Sequence, residues 1–164
     1  MDTENGGKFF VSDYDCFVNG VRTRLGPHTS LNDINALAVS LETMNPSDVK
    51  KFEAIAESDR QADLPELVNY SYNLHCWEFS PDVRNDYDLG LATVESSDLF
   101  DTENLGAFAG YISYEKIGAV TRKENGGLFT DEGYICRNGN RIQEIYNAKD
   151  GFVSEKEMKK QKIM

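Results

Sequence analysis

The chain has 164 residues, of which 40% are hydrophobic and 11% aromatic, so it can bury an ordinary core, which excludes wholesale disorder. Its 28 acidic residues against 17 Lys and Arg give a formal net charge of −11. That sign excludes direct binding to nucleic-acid phosphates and disfavours an anionic membrane surface. No apolar run is long enough to span a membrane, and the polar, acidic start MDTENGG lacks the features of a secretory signal.

The first predicted element is a small β region. Residues 8–12 have the composition of a short strand, and an Asn-Gly pair at 19–20 separates the segments 15–18 and 21–24. An Asn-Gly pair between two such segments predicts a hairpin, because both turn residues must accept positive φ.

Three helices are predicted next, each with an apolar stripe at helical spacing and a polar residue at its start. Their ranges and caps are residues 31–43 with Ser30, 47–58 with Ser47, and 64–72 with Asp63. Glu66, three residues after Asp63, completes a capping box in the third helix. Together the three predict a compact helical unit.

The second half of the chain mixes short strands with helices. The predicted elements are a strand or extended segment at 75–79, a helix at 87–94, an acidic loop or helical turn at 98–106, a helix at 114–123, and strands at 128–130, 134–137 and 141–146. Glycines after residue 125 are expected to end the second of these helices in a left-handed cap. A second Asn-Gly pair, at 138–139, is expected to turn the chain between the last two strands.

These elements predict an α+β fold made of small successive modules. The predicted segments are an N-terminal β region at 1–29, an acidic helical module at 30–103, a C-terminal α+β module with short antiparallel strands at 104–153, and a basic tail at 154–164.

Cysteine and histidine usage bears on the compartment and on metals. Cys16, Cys76 and Cys136 are odd in number and widely spaced, so we expect no disulfide framework and a reducing, cytoplasmic location. The two histidines, His28 and His75, form no zinc-binding spacing with the cysteines or with each other. We therefore predict no metal and no other cofactor.

No motif indicates catalysis. The chain contains no GxSxG nucleophile elbow, no phosphate-binding GxxxxGK and no GxGxxG dinucleotide motif. The prediction is a protein without enzymatic activity. One alternative is a cysteine-dependent hydrolase using Cys76, although free cysteines are more often buried and inert.

The negative charge is concentrated in one segment. Residues 1–41 hold five acids and three bases, residues 42–103 hold 15 acids and four bases, and residues 104–164 hold eight acids and ten bases. We call residues 42–103 the acidic segment. Acidic surfaces commonly serve only solubility, but they then usually mix both signs. An uncompensated segment instead builds a directional field that suits a basic protein surface.

A series of short motifs, in a fixed order, points to a known family. The motifs are FFVSDY at 9–14, LNDINALA at 31–38, VKKFEAI at 49–55, NYSYNL at 69–74, FSPD at 79–82, YDLG at 87–90, ISYEKIG at 112–118 and GGLFTDEGYI at 126–135. Over residues 8–147 the chain resembles the ArdA-type antirestriction proteins of conjugative plasmids and transposons, with a first module shorter than is usual in that family.

The resemblance implies a concrete function. Members of this family are elongated, acidic homodimers of small modules that mimic bent duplex DNA. They occupy the DNA-binding groove of type I restriction-modification enzymes and need no catalytic residue or cofactor. An alternative that stays open is an accessory interaction module of a conjugative element with no restriction target.

Two groups of site residues follow from this interpretation. The predicted DNA-mimic surface comprises Asp48, Glu53, Glu57, Asp59, Asp63, Glu66, Asp82, Asp86, Asp88, Glu95, Asp98, Asp101 and Glu103. The candidate dimer contacts, in a stretch of low charge, are Leu105, Phe108, Tyr111, Ile112 and Tyr114. We expect the acids to form one continuous face, and we expect their neutralisation to leave folding intact because it relieves like-charge repulsion.

Overall fold

The computed structural model describes residue 21 and residues 24–26, 28–97 and 109–153. The described residues form five α-helices and short antiparallel strands, which confirms the α+β class. The predicted strand at 8–12, the Asn-Gly turn at 19–20, the acidic loop at 98–106 and the basic tail lie outside the described residues.

The chain divides into two compact units. The first unit combines Met1–Cys76 with Asn140–Met164, and the second is Trp77–Gly139. This division cuts across the predicted segments 30–103 and 104–153. The reason is that helices and strands before residue 103 pack against helices and strands after it, and together they form the second unit. The chain after residue 139 then packs against the first unit.

The first unit contains α1 (Leu31–Glu42), α2 (Pro46–Ser58), α3 (Leu64–Ser71), a 3-10 turn (Leu74–Cys76), β4 (Tyr146–Asn147) and β5 (Gly151–Phe152). Its core includes Ile34, Leu37, Phe52, Leu67 and Val68, all buried. These residues lie on the apolar stripes of the three helices, so the core is the one that helical periodicity predicts.

The predicted starts of α1 and α3 are correct, and the predicted start of α2 is not. Asp63 caps α3 as expected, since its carboxylate accepts from the Glu66 N–H at 3.0 Å. The cap of α2 is Asn45 rather than Ser47, because Pro46 occupies the first helical turn and moves the start forward. Ser30 stands at the start of α1 but its side chain makes no capping hydrogen bond.

Two predicted strands of the first unit are wrong. In the second arm of the predicted N-terminal hairpin, the described residues Val21 and Arg24 do not lie in a strand, and the Arg24 N–H donates to the Val21 carbonyl at 3.0 Å. The predicted strand at 141–146 is replaced by an irregular segment that reaches strand geometry only at Tyr146. The Asn-Gly pair at 138–139 therefore does not close a hairpin.

The irregular segment is held by asparagine side chains from α3 and the turn after it. The Asn69 Oδ1 accepts from the N–H groups of Ile145 (2.6 Å) and Tyr146 (2.8 Å), and its Nδ2 donates to the Tyr146 carbonyl at 2.7 Å. The Asn73 amide makes the equivalent pair of bonds to Gln143, at 2.9 and 3.0 Å. Side-chain amides thus satisfy backbone groups that a neighbouring strand would otherwise bind.

The second unit contains β1 (Trp77–Ser80), α4 (Asp86–Ser96), a 3-10 turn (Ala109–Tyr111), α5 (Tyr114–Asn125), β2 (Leu128–Thr130) and β3 (Gly133–Arg137). The strands form an antiparallel sheet in the order β1-β3-β2. The left-handed Gly126, at φ 66°, ends α5 as predicted. The predicted strand at 75–79 begins only at Trp77, since the residues before it form the 3-10 turn.

Helices α4 and α5 cross at two glycines. A Cβ at Gly90 would overlap the backbone carbonyl of Tyr114, and one at Gly118 would overlap that of Asp86. The backbones therefore approach more closely than any side chain would allow. This crossing fixes the position of the first turn of α4 beside α5.

Candidate acidic interaction surface

Two carboxylates of the first unit are exposed at the start of α3. Asp63 and Glu66 both face solvent, and neither forms an ion pair with another described residue. One oxygen of Asp63 is used as the helix cap. The N–H groups and the positive end of the helix dipole favour negative charge at a helix start.

The other predicted acids of this unit are partly or fully covered. Asp48, Glu57 and Asp59 are half-buried, and Glu53 is buried, with 8% of its surface exposed. Asp59 accepts a hydrogen bond from the Tyr70 hydroxyl at 2.7 Å, and Glu57 lies 4.0 Å from the Arg60 guanidinium. Glu53 is therefore removed from the predicted surface, because its position on α2 faces the interior.

The second unit has the same division between exposed and structural acids. Asp82 and Glu95 are exposed, whereas Asp86 and Asp88 are half-buried. Asp86 forms an ion pair with Arg122 at 2.9 Å across the α4–α5 contact. The hydrogen bond and positive charge of that guanidinium hold the pKa of Asp86 below its usual value, and the carboxylate raises the pKa of Arg122.

Asp88 belongs to the start of α4. Its carboxylate accepts from the Arg84 N–H at 3.0 Å, while its own N–H donates to the capping side chain of Asn85 at 2.8 Å. Asp88 thus stabilises the turn before the helix, and only part of its surface is open to a partner.

The exposed carboxylates in the described part of the predicted surface are four: Asp63 and Glu66 in the first unit, and Asp82 and Glu95 in the second. Asp98, Asp101 and Glu103 lie outside the described residues. The continuity of the face across the two units stays a prediction.

The candidate dimer contacts differ in exposure. Tyr111 is 87% exposed, an unusual value for a tyrosine, and Ile112 is half-buried. Tyr114 is half-buried and packs edge-on against Tyr87, with ring centroids 5.6 Å apart. Leu105 and Phe108 lie outside the described residues. Tyr111 is therefore the described candidate with the most surface to give to a partner.

The positions of the cysteines disfavour the alternative of a cysteine-dependent hydrolase. Cys76 has no exposed surface, and its Sγ lies 3.5 Å from the Arg141 carbonyl. Cys136 is half-buried, and burial raises the pKa of its thiol, which disfavours the nucleophilic thiolate. A buried thiol has no path to a substrate.

Within the described ranges, no three His, Cys, Asp or Glu side chains come together in a way that could hold a metal ion. None of the helices found in those ranges has both the length and the apolar character needed to cross a bilayer.

Sequence reasoning missed Glu144, which follows α3 by many residues yet lies beside Asp63 and Glu66 in a shared groove. Among the contacts that bring its segment there are the bonds of Asn69 on α3 and of Asn73 in the turn after it, and these amide side chains carry no recognisable sequence signal for that role. Comparison of the chain with protein-family models, with curated proteins and with solved structures finds no match.

Proposed function

We propose that this chain is a non-enzymatic DNA mimic that inhibits type I restriction-modification enzymes in the cytoplasm. The observation that supports this most directly is the uncompensated charge of the acidic segment, with 15 acids against four bases. Four of its exposed members, Asp63, Glu66, Asp82 and Glu95, form no ion pair with another described residue, so their charge is directed outward.

The proposed mechanism is electrostatic competition. Duplex DNA carries one negative charge per roughly 1.7 Å of its axis, and proteins hold it with Lys and Arg in a groove. Carboxylates in place of phosphates attract the same side chains, so the groove is filled and the incoming DNA is excluded. The step requires no bond to be made or broken, no metal and no cofactor.

The proposed assembly is a homodimer. Tyr111 and Ile112 come shortly before α5, and aromatic side chains such as the exposed Tyr111 are enriched at protein interfaces. A dimer would double the number of carboxylates presented to one target.

The test is competition with duplex DNA for a purified type I enzyme at two salt concentrations. Because each contact is a screened charge pair, inhibition should weaken steeply as salt rises. The variant Glu66→Gln/Asp82→Asn/Glu95→Gln should bind the enzyme on the order of tenfold more weakly. Each ion pair lost between one of these carboxylates and a Lys or Arg of the enzyme is worth roughly 0.2–1 kcal/mol at an exposed site.

The matched control removes three exposed charges from outside the acidic segment: Glu115→Gln/Glu124→Gln/Asp150→Asn. It has the same net charge as the test variant and should keep most of the inhibition. Equal losses in both variants, or inhibition that is indifferent to salt, would contradict the proposal. A folded protein that never competes with the DNA would favour the accessory interaction module instead.

A further inference from the structure

A groove in the first unit lies between α3 and the irregular segment that precedes β4. Its volume is about 430 Å³, within the range of sites that hold small ligands or a few side chains. Its walls include the carboxylates of Asp63, Glu66 and Glu144 together with the apolar surfaces of Pro65, Tyr70 and Ile142.

Hydrogen bonds within the protein hold the walls of the groove in place. Asn69 lines it and ties α3 to the opposite wall, through its bonds to Ile145 and Tyr146 and through a bond from its Nδ2 to the Pro65 carbonyl at 3.1 Å. The Tyr146 hydroxyl donates to the buried carboxylate of Asp33 on α1. Walls held from both sides lose little conformational entropy on binding.

The charge of the groove is of one sign. No basic residue lines it, and none of its three carboxylates is paired with a base among the residues that the structure describes. Glu144 accepts one hydrogen bond, from the Asn147 side chain at 2.7 Å, and the Asp63 cap uses one oxygen. The remaining carboxylate oxygens can accept from a cationic ligand.

A groove lined by both apolar and carboxylate side chains suits a side chain that has an apolar stem and a cationic end. Arginine matches this better than lysine, because its planar guanidinium binds a carboxylate with two parallel hydrogen bonds and stacks on aromatic rings. Tyr70 provides such a ring in the groove.

We propose that this groove binds an arginine side chain of a basic segment in the partner protein, held between Glu66 and Glu144 with its stem against the apolar wall. The inference deepens the proposed function, since it names the kind of residue that one part of the acidic surface receives.

The experiment measures fluorescence anisotropy of a labelled peptide, Ala-Arg-Ala-Arg-Ala, titrated with the full chain. Two comparison peptides replace arginine with lysine or with citrulline, which has nearly the same shape but no charge. We expect binding that weakens several-fold with lysine and is lost with citrulline. The variant Glu66→Gln/Glu144→Gln should bind the arginine peptide at least tenfold more weakly, with an unchanged circular dichroism spectrum.

The matched control is Glu42→Gln/Glu124→Gln, which removes two exposed charges that neither line the groove nor belong to the predicted DNA-mimic surface. It should change the affinity less than twofold. An equal loss in both double variants would overturn the proposal, because the attraction would then come from net charge alone.

A second control tests whether the chain's own basic tail takes the groove. Neutralising Lys156, Lys159, Lys160 and Lys162 to Gln in the full chain should leave peptide affinity unchanged. Several-fold tighter binding would show that the tail competes for the groove and would overturn the assignment to a partner.

The two proposals fail separately. Arginine-selective peptide binding without inhibition of a type I enzyme would retain the groove and refute the DNA-mimic function. Inhibition that Glu66→Gln/Glu144→Gln leaves at the wild-type level would retain the function and refute the role of the groove in it.

Discussion

At the scale of single residues, the Asp86–Arg122 ion pair shows that an acid in the acidic segment can be part of the fold. The pair joins the first turn of α4 to the last turn of α5. Neutralising Asp86 should therefore destabilise the second unit, contrary to the expectation that amide substitutions leave folding intact. Asp63→Asn should still be harmless, because asparagine caps a helix as well as aspartate does.

The pair predicts a pH dependence. The pKa of Asp86 is lower in the folded protein than its ordinary value, so its stabilisation is fully present above the ordinary pKa. It is lost as the pH falls through the lower, folded value. Asp86→Asn should lower the free energy of unfolding at pH 7, and the difference from wild type should disappear in strong acid.

Urea unfolding of both proteins at several pH values measures this difference. Asp82→Asn is the matched control, because Asp82 is exposed and forms no ion pair with a described residue. A difference for Asp86→Asn that stayed constant from neutral pH to acid would refute the role assigned to the pair.

Residue-level prediction from sequence succeeded where the signal is local. The Asp63 cap and the Gly126 end of α5 depend on neighbours a few residues away, and both are confirmed. The burial of Glu53 and the pairing of Asp86 depend on other elements. A charge count places acids in a segment but says nothing about which of them face solvent.

At the scale of elements, the α4–α5 crossing depends on Gly90 and Gly118. A methyl group at Gly118 would overlap the Asp86 carbonyl, so Gly118→Ala must push the helices apart. We expect a loss of about 1–3 kcal/mol in unfolding free energy, even though alanine favours a helix over glycine by roughly 1 kcal/mol.

Gly110→Ala provides the comparison. Gly110 lies in the same unit, and apart from its two chain neighbours no described residue has an atom within 4 Å of the position that a Cβ would take, so its substitution should change stability by about 0.5 kcal/mol or less. Thermal or urea unfolding distinguishes the two variants. A Gly118→Ala protein as stable as wild type would mean that the helices can separate without loss.

Helices were predictable because their backbone hydrogen bonds lie within the helix. Strands were predictable where they pair with the next strand in the sequence, as β2 does with β3. The five helices, β2 and β3 all have their expected type and approximate bounds. The segment 141–146 failed because its backbone bonds to Asn69 and Asn73 instead of to a strand. Strand propensity describes the segment itself and contains no information about such a partner.

At the scale of the whole molecule, Tyr111 provides a test of self-association. Because its side chain is 87% exposed, Tyr111→Ser should change folding stability by about 0.5 kcal/mol or less. If Tyr111 contributes to a dimer, the substitution should weaken dimerisation about tenfold or more, as for an interface tyrosine. Sedimentation equilibrium over a range of concentrations measures the constant.

Val120→Ser is the control, since Val120 is a 56% exposed apolar residue on α5 of the same unit. It should leave the dimerisation constant unchanged. A wild-type chain that stays monomeric at high micromolar concentration would contradict the proposed assembly itself.

The first unit is discontinuous in the chain, and this has a consequence for the order of biosynthesis. Its two parts meet where the Asn140 side chain donates to the His75 carbonyl at 3.5 Å and where Arg141 accepts from Cys76. On the ribosome, residues 77–139 emerge as one continuous stretch and can fold while the last part is still being made. The hydrogen bonds from Asn69 and Asn73 to the backbone of residues 143–146 can form only after those residues have been synthesised. The unit encoded first is therefore completed last.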